Sequence, residues 1–440
     1  MSAAVAAATI VSPPPPENSF SPTTQEIPVI ISPAKYSAQS RKLRSNHREN
    51  SLPPAPSFET NSLQNEWRLL LECASPVPDP EKLSVLLPAV DWSRLLPLVE
   101  DHGVMGHLNA SLHKLGDSAV PSSFKQTLVD RQREQIFYTL KLSAELFRIL
   151  DQFASEKIPA LVVKGPVLAM QAYGDPAMRS YGDLDLLVRQ RDIRRATEVM
   201  TAAGYQAAVS LAAIDSGKIP GQYLFSKQEA KLLVELHNDL TLRYFPRRLP
   251  LEKFFARQIR VRLDAHDAPA LCVEDELVLI CIHGAKHFWE RLIWIADVAA
   301  LVTRQSNIDW RGVTGSAKEV GAERMLHTGL RLAKNLLNAS LTAEAKAMVE
   351  ADSNSAHLAD QVLDWLPSAG YAPPSLFGRT LFRLRMRGGF LAAPAYLLRL
   401  SLSPTEEDWQ PGPGESPRGF LATLRRPFRL ARKYGRSSKS

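Results

Sequence analysis

The chain has 440 residues, 45% of them hydrophobic and 22% charged, with a formal net charge of +7. This composition allows one substantial core and a smaller one, and no uninterrupted apolar run reaches the length of a membrane span. Its three cysteines, Cys73, Cys272 and Cys281, are widely separated and form neither a zinc pattern nor a disulfide framework, which suits a reducing cytoplasm.

Residues 1–62 contain Ala-rich sequence, the tetraproline Pro13 to Pro16, Ser/Thr/Pro mixtures and a basic stretch from Arg41 to Arg48. Such a segment cannot bury enough apolar surface to offset its ordering entropy, so a disordered tail is expected. A secretory signal is not expected, because the first basic residue is Lys35 and prolines follow the short apolar run. From Ser62 the pattern becomes helical. Asn65 to Cys73, Trp92 to Val99, Gly106 to Leu115 and the long stretch Phe124 to Phe153 carry apolar residues at helical spacing, predicting a helical cap or bundle over 63–157. An α/β core is predicted over 158–270. Ala160 to Val163 reads as a buried strand, Lys164-Gly165 as a tight turn, and Pro166 to Tyr173 as a short helix with proline in its first turn. Lys231 to Leu236 is strand-like. A helical domain follows over 271–370, with helices in Glu274 to Val302 and Ala322 to Leu337 and another pair in Ala343 to Leu366. Pro373-Pro374 then opens a more irregular basic extension over 371–440, with Arg379, Arg383, Arg385, Arg387 and Arg425 to Lys433. A sequence pI near 9.2 permits association with nucleic acid or a membrane surface. No recognisable nucleic-acid-binding module accompanies the basic residues, so nucleic acid is not an expected partner.

The chemistry concentrates in Leu161 to Val188, LVVKGPVLAMQAYGDPAMRSYGDLDLLV, which ends in two aspartates one residue apart inside an apolar strand. Alternation along a strand projects Asp183 and Asp185 to one face and Leu184 and Leu186 to the other, into a core. Paired carboxylates repel unless a cation neutralises them, and Mg²⁺ prefers a few carboxylates supplemented by water and phosphate oxygens. For a bare Asp-x-Asp a solvated strand end is the favoured reading; the strand, turn and short helix upstream reverse it. By the same alternation Glu235 and His237 share a face, although Glu235 on its own would also suit an exposed strand edge. Arg179 could clamp a phosphate or pair with Asp183.

Lys164-Gly165, Tyr173-Gly174-Asp175, Arg179, Asp183 to Val188 and Ala203-Gly204-Tyr205 together resemble the uncharacterised nucleotidyltransferase-like family of the DNA polymerase beta nucleotidyltransferase superfamily. The resemblance continues through Val234-Glu235-Leu236-His237 and through His283, His287, Trp289, Arg291, Leu292, Trp294 and Asp297. Ser403-Pro404-Thr405, Asp408-Trp409 and Arg425 to Leu430 are similar to the closing motif of longer members. The resemblance implies an α+β fold, a mixed sheet flanked by helices, with helical regions before and after it. It also implies that Asp183, Asp185 and Glu235 hold Mg²⁺, or Mn²⁺, around a nucleoside triphosphate. Where most active members of the superfamily carry a Gly-Ser pair to cradle the triphosphate, this chain carries Lys164-Gly165, so Lys164, Gly165 and Arg179 are the residues implied to contact phosphate.

His283 and His287 stand four residues apart, the spacing of helical zinc sites. Gly284 occupies the place of a metalloprotease glutamate, so a zinc hydrolase would need its third ligand from Glu235 or Asp297. The favoured reading is structural: His283 and His287, with Trp289 and Trp294, pack this helical region under the sheet or, with His237, line an acceptor pocket. The resulting expectation is a cytoplasmic metal-dependent nucleotidyltransferase that moves a nucleoside monophosphate from a triphosphate to a hydroxyl of a small molecule or protein. The alternative is a catalytically inactive nucleotidyltransferase fold serving as a binding or regulatory module.

Overall fold

The computed structural model describes residues 64–115, 120–208, 211, 214, 221–227, 232–239, 249–366 and 375–387. The tail expected over 1–62, the closing motif from Ser403 to Leu430, Lys231 and most of the basic extension lie outside these residues.

Five helices come first: α1 (Gln64–Ala74), α2 (Pro80–Leu86), α3 (Trp92–His102), α4 (Met105–Leu115) and the 34-residue α5 (Ser122–Ser155). Then β1 (Ala160–Val163), α6 (Gly165–Ala172), β2 (Leu184–Val188), α7 (Ile193–Ala202), β3 (Gln206–Ala207), β4 (Gln222–Lys227), β5 (Leu232–His237), α8 (Leu251–Ala256), β6 (Ile259–Leu263) and β7 (His266–Ala270) build the α/β region. The helices α9 (Val273–Lys286), α10 (Leu292–Arg304), α11 (Trp310–Val320), α12 (Glu323–Leu337), α13 (Ala343–Ala351), α14 (Ser353–Trp365) and α15 (Leu376–Arg385) follow. The fold is α+β, with one mixed seven-stranded sheet in the order β3-β4-β5-β2-β1-β7-β6. Among the described residues no helix is long and apolar enough to cross a membrane.

Strand alternation sorts the sheet's side chains into two cores. Leu184, Leu186, Val188, Val234 and Leu236 join Leu142, Leu146 and Phe153 of α5 and Ile193, Ala196 and Met200 of α7 in one apolar cluster. Leu161, Val163 and Leu187, on the opposite face, join the helices on both sides of the α/β region, including Leu69 and Leu70 of α1 and Ile282, Ile295 and Leu330 of α9, α10 and α12. The helices expected as a cap ahead of the sheet therefore share a core with the helices that come after it.

The segment Glu274 to Val302 is broken between α9 and α10, where Phe288 (φ 59°) and Trp289 (φ 54°) both take left-handed conformations. Such conformations are costly for bulky residues and persist when surroundings enforce them. Here the enforcing contact is the slot that receives the fully buried Trp289 ring. A Cβ on Gly284 would lie 2.4 Å from Trp289 Cε3, and one on Gly329 would lie 2.8 Å from its Cη2. Gly284 is thus a packing requirement of the turn. The start of the tail expected to be irregular after Pro374 is instead helical: α15 is capped by Ser375, and Phe382 is buried against Phe288 and Trp365.

Replacing Gly284 with Ala should force the Trp289 ring out of its slot and lower stability by about 1–3 kcal/mol, the usual cost of overpacking a core. Denaturant unfolding with an unchanged m value checks the loss. Wild-type stability in this variant would remove the packing explanation.

Candidate active site

Register brings the polar residues together. Asp185 on β2 is the parallel partner of Glu235 on β5, and Val163, one residue before Lys164, is the antiparallel partner of Asp185. On the other side of β5, Gln222 of β4 pairs with His237. Paired positions on neighbouring strands face the same way, so these residues crowd onto one face of the sheet. Opposite them runs α9, whose Leu279, Ile282, His283 and Lys286 fall at helical spacing along one stripe. Between sheet and helix lies a cleft of about 990 Å³, counted out to its open mouth. All nine residues singled out from the sequence line it: Lys164, Gly165, Arg179, Asp183, Asp185, Glu235, His237, His283 and His287.

At its floor, Asp185 is 6% exposed and its two oxygens have different partners. Oδ2 lies 2.9 Å from Lys164 Nζ, and Oδ1 lies 2.8 Å from His237 Nε2. The same His237 nitrogen is 3.6 Å from Glu235 Oε2, which also accepts a hydrogen bond from Gln222 Nε2. Glu235 is no edge charge, because β5 is sandwiched between β2 and β4. Asp183 sits just before β2, half-buried in the cleft wall.

Burial opposes the charge on Asp185, but the Lys164 ammonium and the His237 hydrogen bond outweigh it and hold the carboxyl well below its ordinary range. Glu235 goes the other way. Burial, with Asp183 and Asp185 nearby, pushes it up to about 8, against the opposing pull of Lys164 and Lys286. Burial also works against the Lys164 charge, yet Asp185 and Asp183 keep its pKa above the ordinary lysine value. His237 is lowered by burial in spite of Asp185, so the ring is neutral at neutral pH. Across the cleft, burial lowers Lys286 although Glu235 favours its charge, and burial beside cationic neighbours takes His283 and His287 well below the usual histidine range.

The local backbone aims Lys164. This residue has φ 55° and ψ −139°, outside the regions a side-chain-bearing residue ordinarily adopts, and Gly165 follows at φ 46°. Gly165 takes its conformation freely, but Lys164 held in this one costs of order 1–3 kcal/mol and needs a strap. Glu276, fully buried in the first turn of α9, supplies it by accepting Lys164 N–H at Oε1 over 3.0 Å. Burial raises Glu276 to about 7 against the pull of that N–H.

Arg179 does not pair with Asp183 as its main contact. Its Nε donates to both oxygens of Asp297 on α10, at 3.2 and 3.0 Å, and Tyr173 OH donates to the same carboxylate at 3.0 Å. The pair is buried on both sides, so Arg179 works chiefly as an anchor of the loop that carries Asp183. That loop is braced again by α5, where Tyr138 OH donates to Gly182 O and Gln135 to Ala177 O.

Among the described residues, His283 and His287 join no third side chain of metal-ligand type. Their rings stand 4.7 Å apart and pack on Trp294 at 5.3 and 5.2 Å. Of the suggested third ligands, Asp297 is engaged by Arg179, and Glu235 groups with Asp185 and His237. That last trio is the group of metal-ligand type found among the described residues, with its donor atoms all within 4.8 Å of one another. Two carboxylates and an imidazole at this spacing suit adjacent ligands around one small divalent ion.

The sequence model of a family described as uncharacterised nucleotidyltransferase matches residues 88–338. The chain belongs to that family. No curated protein matches it. The cleft of this nucleotidyltransferase-family protein includes residues that sequence reasoning gave no role: Gln222, which bonds Glu235 and accepts from Lys286 Nζ at 3.4 Å, and Lys286 itself. Lys286 was readable as the residue one turn after His283. Gln222 was not, since its place follows only from the β4–β5 register.

Two outcomes are expected here. Asp297→Asn leaves a buried guanidinium without its counter-charge and should destabilise the protein by about 3–5 kcal/mol in denaturant unfolding; a loss below about 1 kcal/mol would show that Arg179 does not depend on it. Glu276 binds its proton more tightly folded than unfolded, since its pKa rises from 4.5 to about 7. The folded state then holds the extra proton between those values, so this residue's contribution to stability falls as pH rises from about 4.5 to about 7. Glu276→Gln keeps an acceptor for Lys164 N–H and should remove on the order of 3 kcal/mol of that decline. Parallel wild-type and variant pH–stability curves would contradict the assignment.

Proposed function

We propose that this protein is a metal-dependent nucleotidyltransferase that transfers a nucleoside monophosphate from a nucleoside triphosphate to a hydroxyl group of a small molecule or protein. The observation that carries this reading is the convergence of Asp185, Glu235 and His237 within 4.8 Å, with Asp183 and Lys164 beside them, in one cleft. Asp183, Asp185 and Glu235 are assigned to Mg²⁺ or Mn²⁺, with His237 as a further donor through Nε2. In the structure Nε2 donates to the Asp185 carboxylate, so ligation through Nε2 would require the ring proton to move to Nδ1, which is buried and has no hydrogen-bond partner among the described residues. When bound, the ion supplies charge to the α-phosphate and to the attacking and leaving oxygens.

The residues of the chain do the rest. The acceptor oxygen bonds to the α-phosphorus, the bond from that phosphorus to the β-bridging oxygen breaks, and pyrophosphate leaves with the electron pair. Glu235, whose own proton a bound cation would displace, would then be placed to take the hydroxyl proton, with Gln222 holding its carboxylate in position. Lys164 and Lys286, on opposite walls, offer compact positive charge to the phosphates, and Gly165 lets backbone approach them closely. His283, His287 and Trp294 form an aromatic wall suited to the acceptor.

Asp183→Asn with Asp185→Asn should abolish Mg²⁺-dependent nucleotide binding in calorimetry and reduce transfer more than about 100-fold, the effect of losing several kcal/mol of charge stabilisation. Full activity in the folded double variant would remove the mechanism. The Lys164–Asp185 ion pair gives the inactive-module reading its support, and metal-dependent triphosphate binding with no transfer to any acceptor would favour it.

A further inference from the structure

Asp185 divides its oxygens between two partners. Oδ1 faces His237 Nε2 and the group it forms with Glu235, and Oδ2 faces the Lys164 ammonium. In a two-ion centre the shared carboxylate would present one oxygen to each ion. We propose that Lys164 permanently occupies the place of one of the two divalent ions, so that this chain works with a single metal ion and a built-in ammonium. The inference rests on the metal-dependent reading above and deepens it.

Three independent features support it. The ammonium is held by the backbone, because Lys164 sits in a strained conformation that Glu276 straps from the far side of the cleft. A side chain that merely drifted to a convenient carboxylate would need neither the strain nor the strap. The turn also lacks the serine that would serve a triphosphate in the usual way, since Pro166 follows Gly165. Charge supplies the third argument. Arg179 is paired with Asp297 and Arg291 is tied to the carbonyls of Glu100 and Asp101, so the floor of the cleft sets Asp183, Asp185 and Glu235, the last ionised once a cation displaces its proton, against Lys164 and Lys286. Two lysines and one divalent ion bring four positive charges to those carboxylates and the triphosphate. Two divalent ions would bring the same four, and two ions added to the lysines would bring six.

The test counts ions directly. Mn²⁺ is titrated into the full chain with one equivalent of a non-hydrolysable α,β-methylene triphosphate, and bound ions are counted by metal analysis and by electron paramagnetic resonance. One Mn²⁺ per wild-type chain, without the spectrum of a coupled pair, is the expected result. Lys164→Met should take up a second ion and acquire the coupled-pair signal, and Lys164→Arg should stay at one. Two coupled ions in the wild type overturn the proposal, and so does one ion in a folded Lys164→Met protein, since lysine would then not be what excludes the second. No bound Mn²⁺ in the wild type sinks the metal-dependent reading itself, a different result from two. If Lys164→Met fails to fold, the wild-type count alone decides between one ion and two.

Discussion

Like charges on one sheet face are the constraint that organises this molecule. Asp185 and Glu235 are register partners on adjacent interior strands, and Asp183 is two residues along the chain from Asp185. Left alone, three carboxylates so placed would repel and tend to protonate, and burial together with Asp183 and Asp185 does push Glu235 upward. Lys164, 2.9 Å from Asp185, is the local answer. Much of the surrounding architecture serves to keep that answer in place: the strained turn at the end of β1, the buried Glu276 behind it, and the α9 helix that carries Glu276 at one end and Lys286 at the other.

The same logic explains the buried Arg179–Asp297–Tyr173 cluster. The loop from α6 to β2 must deliver Asp183 to the cleft without regular structure of its own beyond a short 3₁₀ turn at Pro176–Met178. A buried ion pair is weak evidence for net stability, yet it fixes one geometry, because every alternative leaves a charge unpaired in a dry environment. Here it ties the loop to α10. Bonds from Gln135 and Tyr138 tie its other side to α5, and a Cβ on Gly106 of α4 would lie 2.6 Å from Ala177 O, so the loop is held by helices from both ends of the chain.

Period-2 alternation made the acidic strand legible, since Leu184 and Leu186 had to enter a core and thereby turned both aspartates the other way. It also made Glu235 and His237 companions, and β1 was readable to its terminal residues. Alternation was equally present in Ile259 to Leu263, a strand that the reading passed over because arginines interleave its apolar residues, and the three consecutive apolar residues of Gln222 to Lys227 were too short a run to stand out. Long-range pairing was beyond reach. Nothing local distinguishes an Arg179 that meets Asp183 from one that meets Asp297, 118 residues away. Nor does composition reveal the break after α9, for Phe288 and Trp289 are unremarkable helix residues until Gly284 and Gly329 open a slot.

That slot bears on the cleft through rigidity. His283, Lys286 and His287 occupy the last turn of α9 and its cap, immediately before the turn that Trp289 locks. Phe288 is held in its turn by the aromatic ring of Phe382 and by the guanidinium of Arg383, 4.6 Å above its own ring. The cationic and aromatic wall of the cleft is therefore fixed by core packing, as the carboxylate wall is fixed by strand register. A site that separates charge across two immobile walls needs little reorganisation when a polyanionic substrate enters, and electrostatic preorganisation of this kind is usually the largest single contribution a protein makes to a charge-developing reaction. On the proposed reading the two walls divide the work: Lys164 and Lys286 would meet the phosphates, whereas the rings of His283, His287 and Trp294, which carry no charge, would discriminate an acceptor only by shape and hydrogen bonding.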